Sequence, residues 1–401
     1  MRNWAANVNS KERRLLAQTA VSVALIYGVF WSNHEAPDLR AFLFPWLAHI
    51  RSAGPVHAFA APFSNYNTPY LYLLSVASLL GLSPLNTIKL LSVLGTIFLG
   101  FASYRLMRAA YPRKAVEAGC LALLLPTVIL NGPFLGQCDA LWVACCLLAV
   151  AAAIDRRLFK MTAWAALGFA IKAQAIFIAP FVGAIIVRER KWTAVLIPFG
   201  IYAIAIAPAW IVGWPIGDLL TIYARQYTYV DWLSTAPNVW ALPHILIEPE
   251  PYSLFLLGYA ATAVAVIVYT WRCPRDLLIA ALLSSLLIPW LMPKMHERYF
   301  LLADVLALTA AITDSRYIAA FILIQMGSLL SFGAYALDLP WLNAVGSAFM
   351  TGGLLVVLRA AKTARNQPAN SVEPQSAGGP HSESSGHAPE RSDHAPVSGA
   401  A

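Results

Sequence analysis

The chain has 401 residues, 59% hydrophobic and only 12% charged, with 13 tryptophans and a formal net charge of +8. Apolar side chains far exceed what one soluble core can hide, which excludes an ordinary globular domain and leaves a surface that must face lipid. No stretch alternates with the period of a barrel strand, so the expected class is an all-α polytopic membrane protein.

Basic residues lag on the cytoplasmic side during insertion, and their clusters set the expected topology. Arg2, Lys11, Arg13 and Arg14 precede a first span at about 14–32 and place the N-terminus inside. That run is full length and lacks a small-residue cleavage site, so it reads as a signal anchor rather than a cleaved leader. A large outer loop, about 33–68, opens with Glu35-Ala-Pro-Asp38-Leu-Arg40 and continues into an amphipathic stretch, Phe42 to Ile50, suited to an interface. An ordinary helix start, with Pro37 in the first turn and acids favouring the dipole, accounts for the same residues. Residues 69–82 are apolar, but fourteen helical residues rise only about 21 Å. Counting them as a crossing would put Arg105, Arg108, Arg113 and Lys114 outside, so they are expected to be re-entrant or interfacial.

Spans at about 88–107, 115–131 and 138–154 come next, with Gly136-Gln137-Cys138-Asp139 at the outer mouth of the third. Asp139 there either caps the helix or takes part in chemistry. Residues 161–187 are long enough for one tilted helix, yet Lys160 and Arg188 flank both ends, and a hairpin turning near Lys172 keeps both inside. Lysine at membrane depth is costly unless paired, so Lys172 is a candidate functional group, with snorkelling as the alternative. A span at 192–213, a second outer loop at about 214–251, and spans at 252–271 and 276–294 lead to Lys294-Met-His296-Glu297-Arg298-Tyr299. This is the densest polar run of the hydrophobic body, more than a plain turn requires. Spans at 300–315, 316–335 and 342–361 complete about twelve crossings with both termini inside. Residues 1–363 then form the transmembrane unit, and 364–401, rich in Ser, Pro, Gly and His, a disordered cytoplasmic tail. Only seven of the 28 Lys and Arg fall outside or in the membrane in this topology: Arg40, Arg51, Lys89, Lys172, Arg225, Lys294 and Arg298. Five cysteines without paired metal-ligand spacing predict neither a disulfide framework nor a zinc site.

At these residues the chain resembles the GT-C superfamily of polyprenyl-phosphate-sugar-dependent glycosyltransferases, including bacterial mannosyltransferase-like members and the dolichyl-phosphate-glucose glucosyltransferases. Gly136-Gln137-Cys138-Asp139 looks like the Gly-Gln-x-Asp element of that superfamily, and His296-Glu297-Arg298-Tyr299 is similar to its His-Glu-Arg/Lys element. Asp38 occupies the place of the catalytic aspartate after the first span. Asn65-Tyr66-Asn67-Thr68-Pro69-Tyr70 resembles the segment before the re-entrant helix, and Ala236-Pro237-Asn238-Val239-Trp240 the Ala-Pro-Asn-x-Trp of the second loop. Lys172-Ala173-Gln174 departs from the Lys-Pro-Gln of many bacterial relatives.

The resemblance implies a GT-C-type bundle that transfers a hexose, mannose or glucose, with inversion. The donor would be a polyprenyl-phosphate sugar and the acceptor a glycolipid or cell-envelope glycan, on the non-cytoplasmic face of a bacterial inner (plasma) membrane. Asp38 would be the base, with Glu35 close enough to leave that choice open. Arg298 would grip the phosphate, with His296 and Lys172 nearby, and Glu297 would orient one of them. Gln137, Asp139 and Tyr299 complete the expected substrate-binding set, Asp139 orienting an acceptor hydroxyl or a neighbouring base. No Asp-x-Asp pair is present, and neither metal nor cofactor is expected. Apart from donor, acceptor and bilayer no partner is implied, and no nucleic acid. A transporter or flippase of a lipid-linked saccharide is the alternative, although no second copy of either motif marks the matched halves of an inverted repeat.

Overall fold

The computed structural model describes residues 9–31, 34–228, 234–247 and 251–366. Among them the regular elements are helical, with a single isolated bridge between Ser234 and Met295. The order is α1 (Ser10–Phe30), α2 (Phe44–Ala53), α3 (Thr68–Ser78), α4 (Pro84–Ala110), α5 (Ala115–Leu123), α6 (Pro126–Ile129), α7 (Asp139–Ile154), α8 (Leu158–Ile171) and α9 (Ala179–Glu189). Then come α10 (Leu196–Val212), α11 (Ile216–Thr228), α12 (Ala241–Leu246), α13 (Tyr252–Arg272), α14 (Leu277–Leu291), α15 (Leu301–Thr313), α16 (Ile318–Leu337) and α17 (Trp341–Asn366).

Five of these helices are long and apolar enough to cross a membrane: α4, α10 with its preceding turn, α13, α16 with its preceding turn, and α17. A sixth crossing results if α5 and α6, bent by 49° where Pro126 interrupts the helix, are taken as one. The most apolar 18 residues within Trp192–Val212 have a mean hydropathy of 2.2 yet are only 11% buried, and Leu196, Phe199, Ile204 and Ile211 of that helix are exposed. Water does not tolerate such a surface, and lipid does. The architecture is therefore that of a helical membrane protein.

The sequence led to about twelve crossings, more than the helices of spanning length among the described residues. The difference lies in α7, α8, α9, α14 and α15, only 11 to 16 residues long and so rising about 16–24 Å. Met292-Pro293 ends α14 early, and an extended Lys172 ends α8. The first expected span, α1, has 21 residues, but charges in its first turn keep it outside the apolar set.

Charge and topology nevertheless agree. The ends marked by Tyr111, Arg156, Arg188, Arg275 and Thr313 surround one groove, so α4, α7, α9 and α15 finish and α8 and α14 begin at a common basic end. Because α8 leaves that end and α9 returns to it, residues 158–189 form the expected hairpin, turning over a 3-10 segment, Ala173–Ile178. Helix α3 is too short to cross. Asn67 before it donates to Ala170 O, and Arg51 reaches Leu82 O and Thr87 just after it, so both its flanks stay in the half opposite the basic end.

Helix α7 forms the centre, with nearly every side chain buried against α4, α8, α14 and α15. Small residues permit the close approaches. A Cβ added at Gly327 of α16 would lie 2.9 Å from Gly346 O of α17, and the reverse substitution meets the same obstacle. Away from the basic end, residues 34–67 fold into a π turn (Leu39–Leu43), α2 and a 3-10 turn (His57–Ala60). They pack on α3 and α10 through Phe59, Phe63, Tyr72 and Trp214. Helix α17 continues to Asn366, three residues into the expected tail, and the rest of that tail, 367–401, lies outside the described residues.

Four of the five native cysteines are buried, so an added one is readable. A membrane-impermeant maleimide should label Glu35→Cys in sealed right-side-out vesicles and reach Arg113→Cys only after permeabilisation. The opposite pattern would reverse the topology read from the charges.

Candidate active site

Gly136 lies at φ +70°, the left-handed region, and a Cβ there would come 3.3 Å from Leu39. Glycine thus lets the turn into α7 close against the π turn. Closure brings Gln137 Nε2 to 3.2 Å from Asp38 Oδ2, across about a hundred residues of sequence. The same carboxylate oxygen accepts from Arg298 Nη2 at 2.8 Å.

Arg298 is held from the other side by Glu297, with Nη1 donating to Oε1 at 2.6 Å. Burial alone would raise the Glu297 carboxyl, but the adjoining guanidinium, followed by His296, holds it down at about 2. Burial likewise works against the Arg298 charge, and Glu297, Asp38 and Asp139 more than restore it. Arg298 Nε is the one nitrogen of the fork without an acceptor among the described residues; Asp139 Oδ2 stands 3.7 Å away.

The His-Glu-Arg turn is anchored by the second large loop. Thr235 N donates to Met295 O at 2.9 Å, Asn238 Nδ2 to Pro289 O and Met292 O, and Trp240 Nε1 to Leu291 O. Ala236-Pro237-Asn238-Val239-Trp240 is thus a clamp on the end of α14. It steadies a turn in which Lys294 adopts φ +60°, a conformation costly for a residue with a Cβ.

Asp139 is fully buried. Lys172 Nζ donates to its Oδ1 at 2.7 Å, Trp142 Nε1 to the same oxygen at 2.8 Å, and Asn131 Nδ2 to Oδ2 at 3.1 Å. Lys172 also stands 5.3 Å above the Tyr66 ring, so its charge is met by a carboxylate and an aromatic face. Three carboxylates, Asp38, Asp139 and Glu297, therefore face two permanent cations, and His296, 3.7 Å from Glu297, adds a third cation when protonated.

No protein-family model matches this chain. No curated protein is similar to it in sequence. The function must therefore be argued from geometry.

Of the eight residues expected from sequence, Asp38, Gln137, Lys172, His296, Arg298 and Tyr299 line one cavity of about 360 Å³. Asp139 and Glu297 do not reach it; they stand behind as the counter-ions of Lys172 and Arg298. Glu35 and Asp38 also part in space. Glu35 pairs with exposed Arg40 at 2.6 Å, whereas Asp38 faces the cavity. Lining residues without a sequence expectation include Tyr223 and Gln226 of α11. Gln174, part of the Lys172 motif, donates to the Tyr299 hydroxyl at 2.6 Å and so links the hairpin to the His-Glu-Arg turn. The Asp139-Trp142 pair was findable as an i,i+3 contact; the contacts of Asn131, Tyr223 and Gln226 had no local signal.

Proposed function

We propose that this chain is an inverting glycosyltransferase of the GT-C type, moving a hexose from a polyprenyl-phosphate donor to a glycolipid or envelope-glycan hydroxyl on the non-cytoplasmic side. The observation that carries the reading is a partly exposed carboxylate, Asp38, paired with buried Arg298 on a cavity that a second buried cation, Lys172, also lines. That combination suits a reaction needing a proton acceptor and a phosphate site within a sugar's width of each other.

In the proposed step an acceptor hydroxyl oxygen attacks the anomeric carbon while the bond from that carbon to the phosphate oxygen breaks. Asp38 takes the hydroxyl proton, and the electron pair leaves on the lipid phosphate. Charge released there is stabilised by Arg298 and Lys172 in a poorly hydrated place, where fixed cations are worth far more than in water. Asp139 and Glu297 are positioning residues for these cations. Aromatic side chains along the wall, Trp46, Tyr66 and Tyr223, offer faces for a sugar ring or prenyl units.

Purified protein incubated in detergent with a panel of polyprenyl-phosphate sugars and an envelope-lipid extract should consume one donor and release the prenyl phosphate. Consumption of none would remove the enzyme reading. The same experiment separates a second reading, transport of a lipid-linked saccharide, because a transporter performs no chemistry in a single compartment. That reading draws on Asp304, a 1% exposed acid in α15 whose Oδ1 accepts from Ser328 and which has no cation paired with it among the described residues.

Arg298→Lys keeps a cation but loses the planar fork. One charge-assisted hydrogen bond fewer should lower kcat/KM for the donor about 10- to 100-fold, with the acceptor KM unchanged. A defect confined to acceptor affinity would contradict the phosphate role.

A further inference from the structure

A second cavity exceeds the candidate active site in volume. It is a groove of about 680 Å³ at the opposite, basic end of the bundle, between the ends of α4, α7, α9 and α15 and the starts of α8 and α14. Its walls are apolar, formed by Ala153, Ile154, Leu158, Ile185, Leu277 and Leu278, while Arg156, Arg188 and Arg275 stand at it as cations.

Two acids, Glu189 and Asp276, also line the groove, and against three arginines they leave it with one formal positive charge in excess. Asp276 is engaged as the cap of α14, its Oδ1 accepting from Leu278 N and Ile279 N at 2.9 and 3.2 Å. Among the described residues Glu189 meets only Arg188, loosely, at 3.9 Å. Among the described residues no carboxylate pairs with Arg156 or Arg275. Arg156 holds a left-handed backbone, φ 57°, at the turn between α7 and α8, a conformation that costs a residue bearing a Cβ.

We infer that this groove binds an anionic glycerophospholipid of the surrounding leaflet, its phosphate held by Arg156, Arg188 and Arg275 and its acyl chains lying against the apolar walls. A uniformly basic helix end explains arginines but not a concavity with hydrocarbon-compatible sides beneath them. An amphiphile with one negative head matches both features, and basic pockets between helices are a recurrent form of lipid headgroup recognition. This inference does not rest on glycosyl transfer, and it concerns a region remote from Asp38.

Native mass spectrometry tests it on the delipidated full chain in micelles doped equally with phosphatidylglycerol and phosphatidylcholine. Wild-type protein should retain phosphatidylglycerol preferentially. Each of Arg156→Gln, Arg188→Gln and Arg275→Gln should lose about fivefold of that preference, and the triple variant should retain both lipids equally at an unchanged unfolding midpoint. Arg359→Gln/Lys362→Gln, basic positions on α17 outside the groove, should keep the preference. Equal loss in that control would reduce the effect to a general basic belt and overturn the site. Displacement of the lipid by inorganic phosphate would overturn a lipid occupant. A gain in retention on removing residues 367–401 would make the tail, with its four acids, the occupant instead.

Discussion

Replacing Asp38 by Asn should lower sugar transfer by about 10²- to 10⁴-fold and leave the protein folded. The amide oxygen introduced at this position still accepts from Gln137 and Arg298, so the geometry that Gly136 creates is preserved. Arg298 keeps Glu297 as its counter-ion, so no buried charge is stranded. What disappears is the capacity to take a proton. Glu35→Gln provides the comparison, because Glu35 sits on Arg40 rather than on the cavity and its loss should leave transfer near the wild-type rate. Rates measured on membranes adjusted to equal protein abundance decide the matter. Full activity in the Asp38 variant, or an inactive Glu35 variant, would move the base elsewhere.

The cluster around Asp38 was legible to an unusual depth because the charge rule and the two polar motifs, Gly136–Asp139 and His296–Tyr299, converge on it. Basic clusters, counted loop by loop, place residues 33–68, 132–137, 214–251 and 295–299 on one side, and that side is where Asp38, Gln137 and Arg298 meet. The charge rule also required a hairpin at 161–187 and a non-crossing segment at 69–82, and the helices divide there accordingly. Helix length was less legible. A hydropathy window counts apolar residues but does not see where backbone hydrogen bonding stops. The breaks at Pro126, Lys172 and Pro293 therefore shorten helices inside runs that remain apolar. Roles were the least legible. Asp139 and Glu297 stand in the same motifs as Gln137 and Arg298, and only tertiary packing assigns two of these four side chains to the cavity and two to the layer behind it. Asp304 carried no expectation at all, since one acid in an apolar run barely alters its average.

Lys172→Met should destabilise the protein by about 3–5 kcal/mol, and adding Asp139→Asn should recover most of that loss. Lys172 is 3% exposed and Asp139 0%, so removing the ammonium leaves a carboxylate without a cation at 2.7 Å and without water to replace it. Trp142 and Asn131 would still donate to that carboxylate, which limits the cost without abolishing it. In the double variant the new amide oxygen accepts from Trp142, Asn131 can turn its own Oδ1 to the new NH2, and the buried charge is gone from both sides. Thermal unfolding of the four proteins in one detergent gives the coupling directly. A single variant as stable as the wild type would mean that the pair contributes nothing to folding. The double variant also separates the two roles assigned to Lys172. If its stability returns while transfer stays lost, the lysine acts on the donor phosphate; if transfer returns as well, Lys172 only neutralises Asp139, and Arg298 alone serves the phosphate.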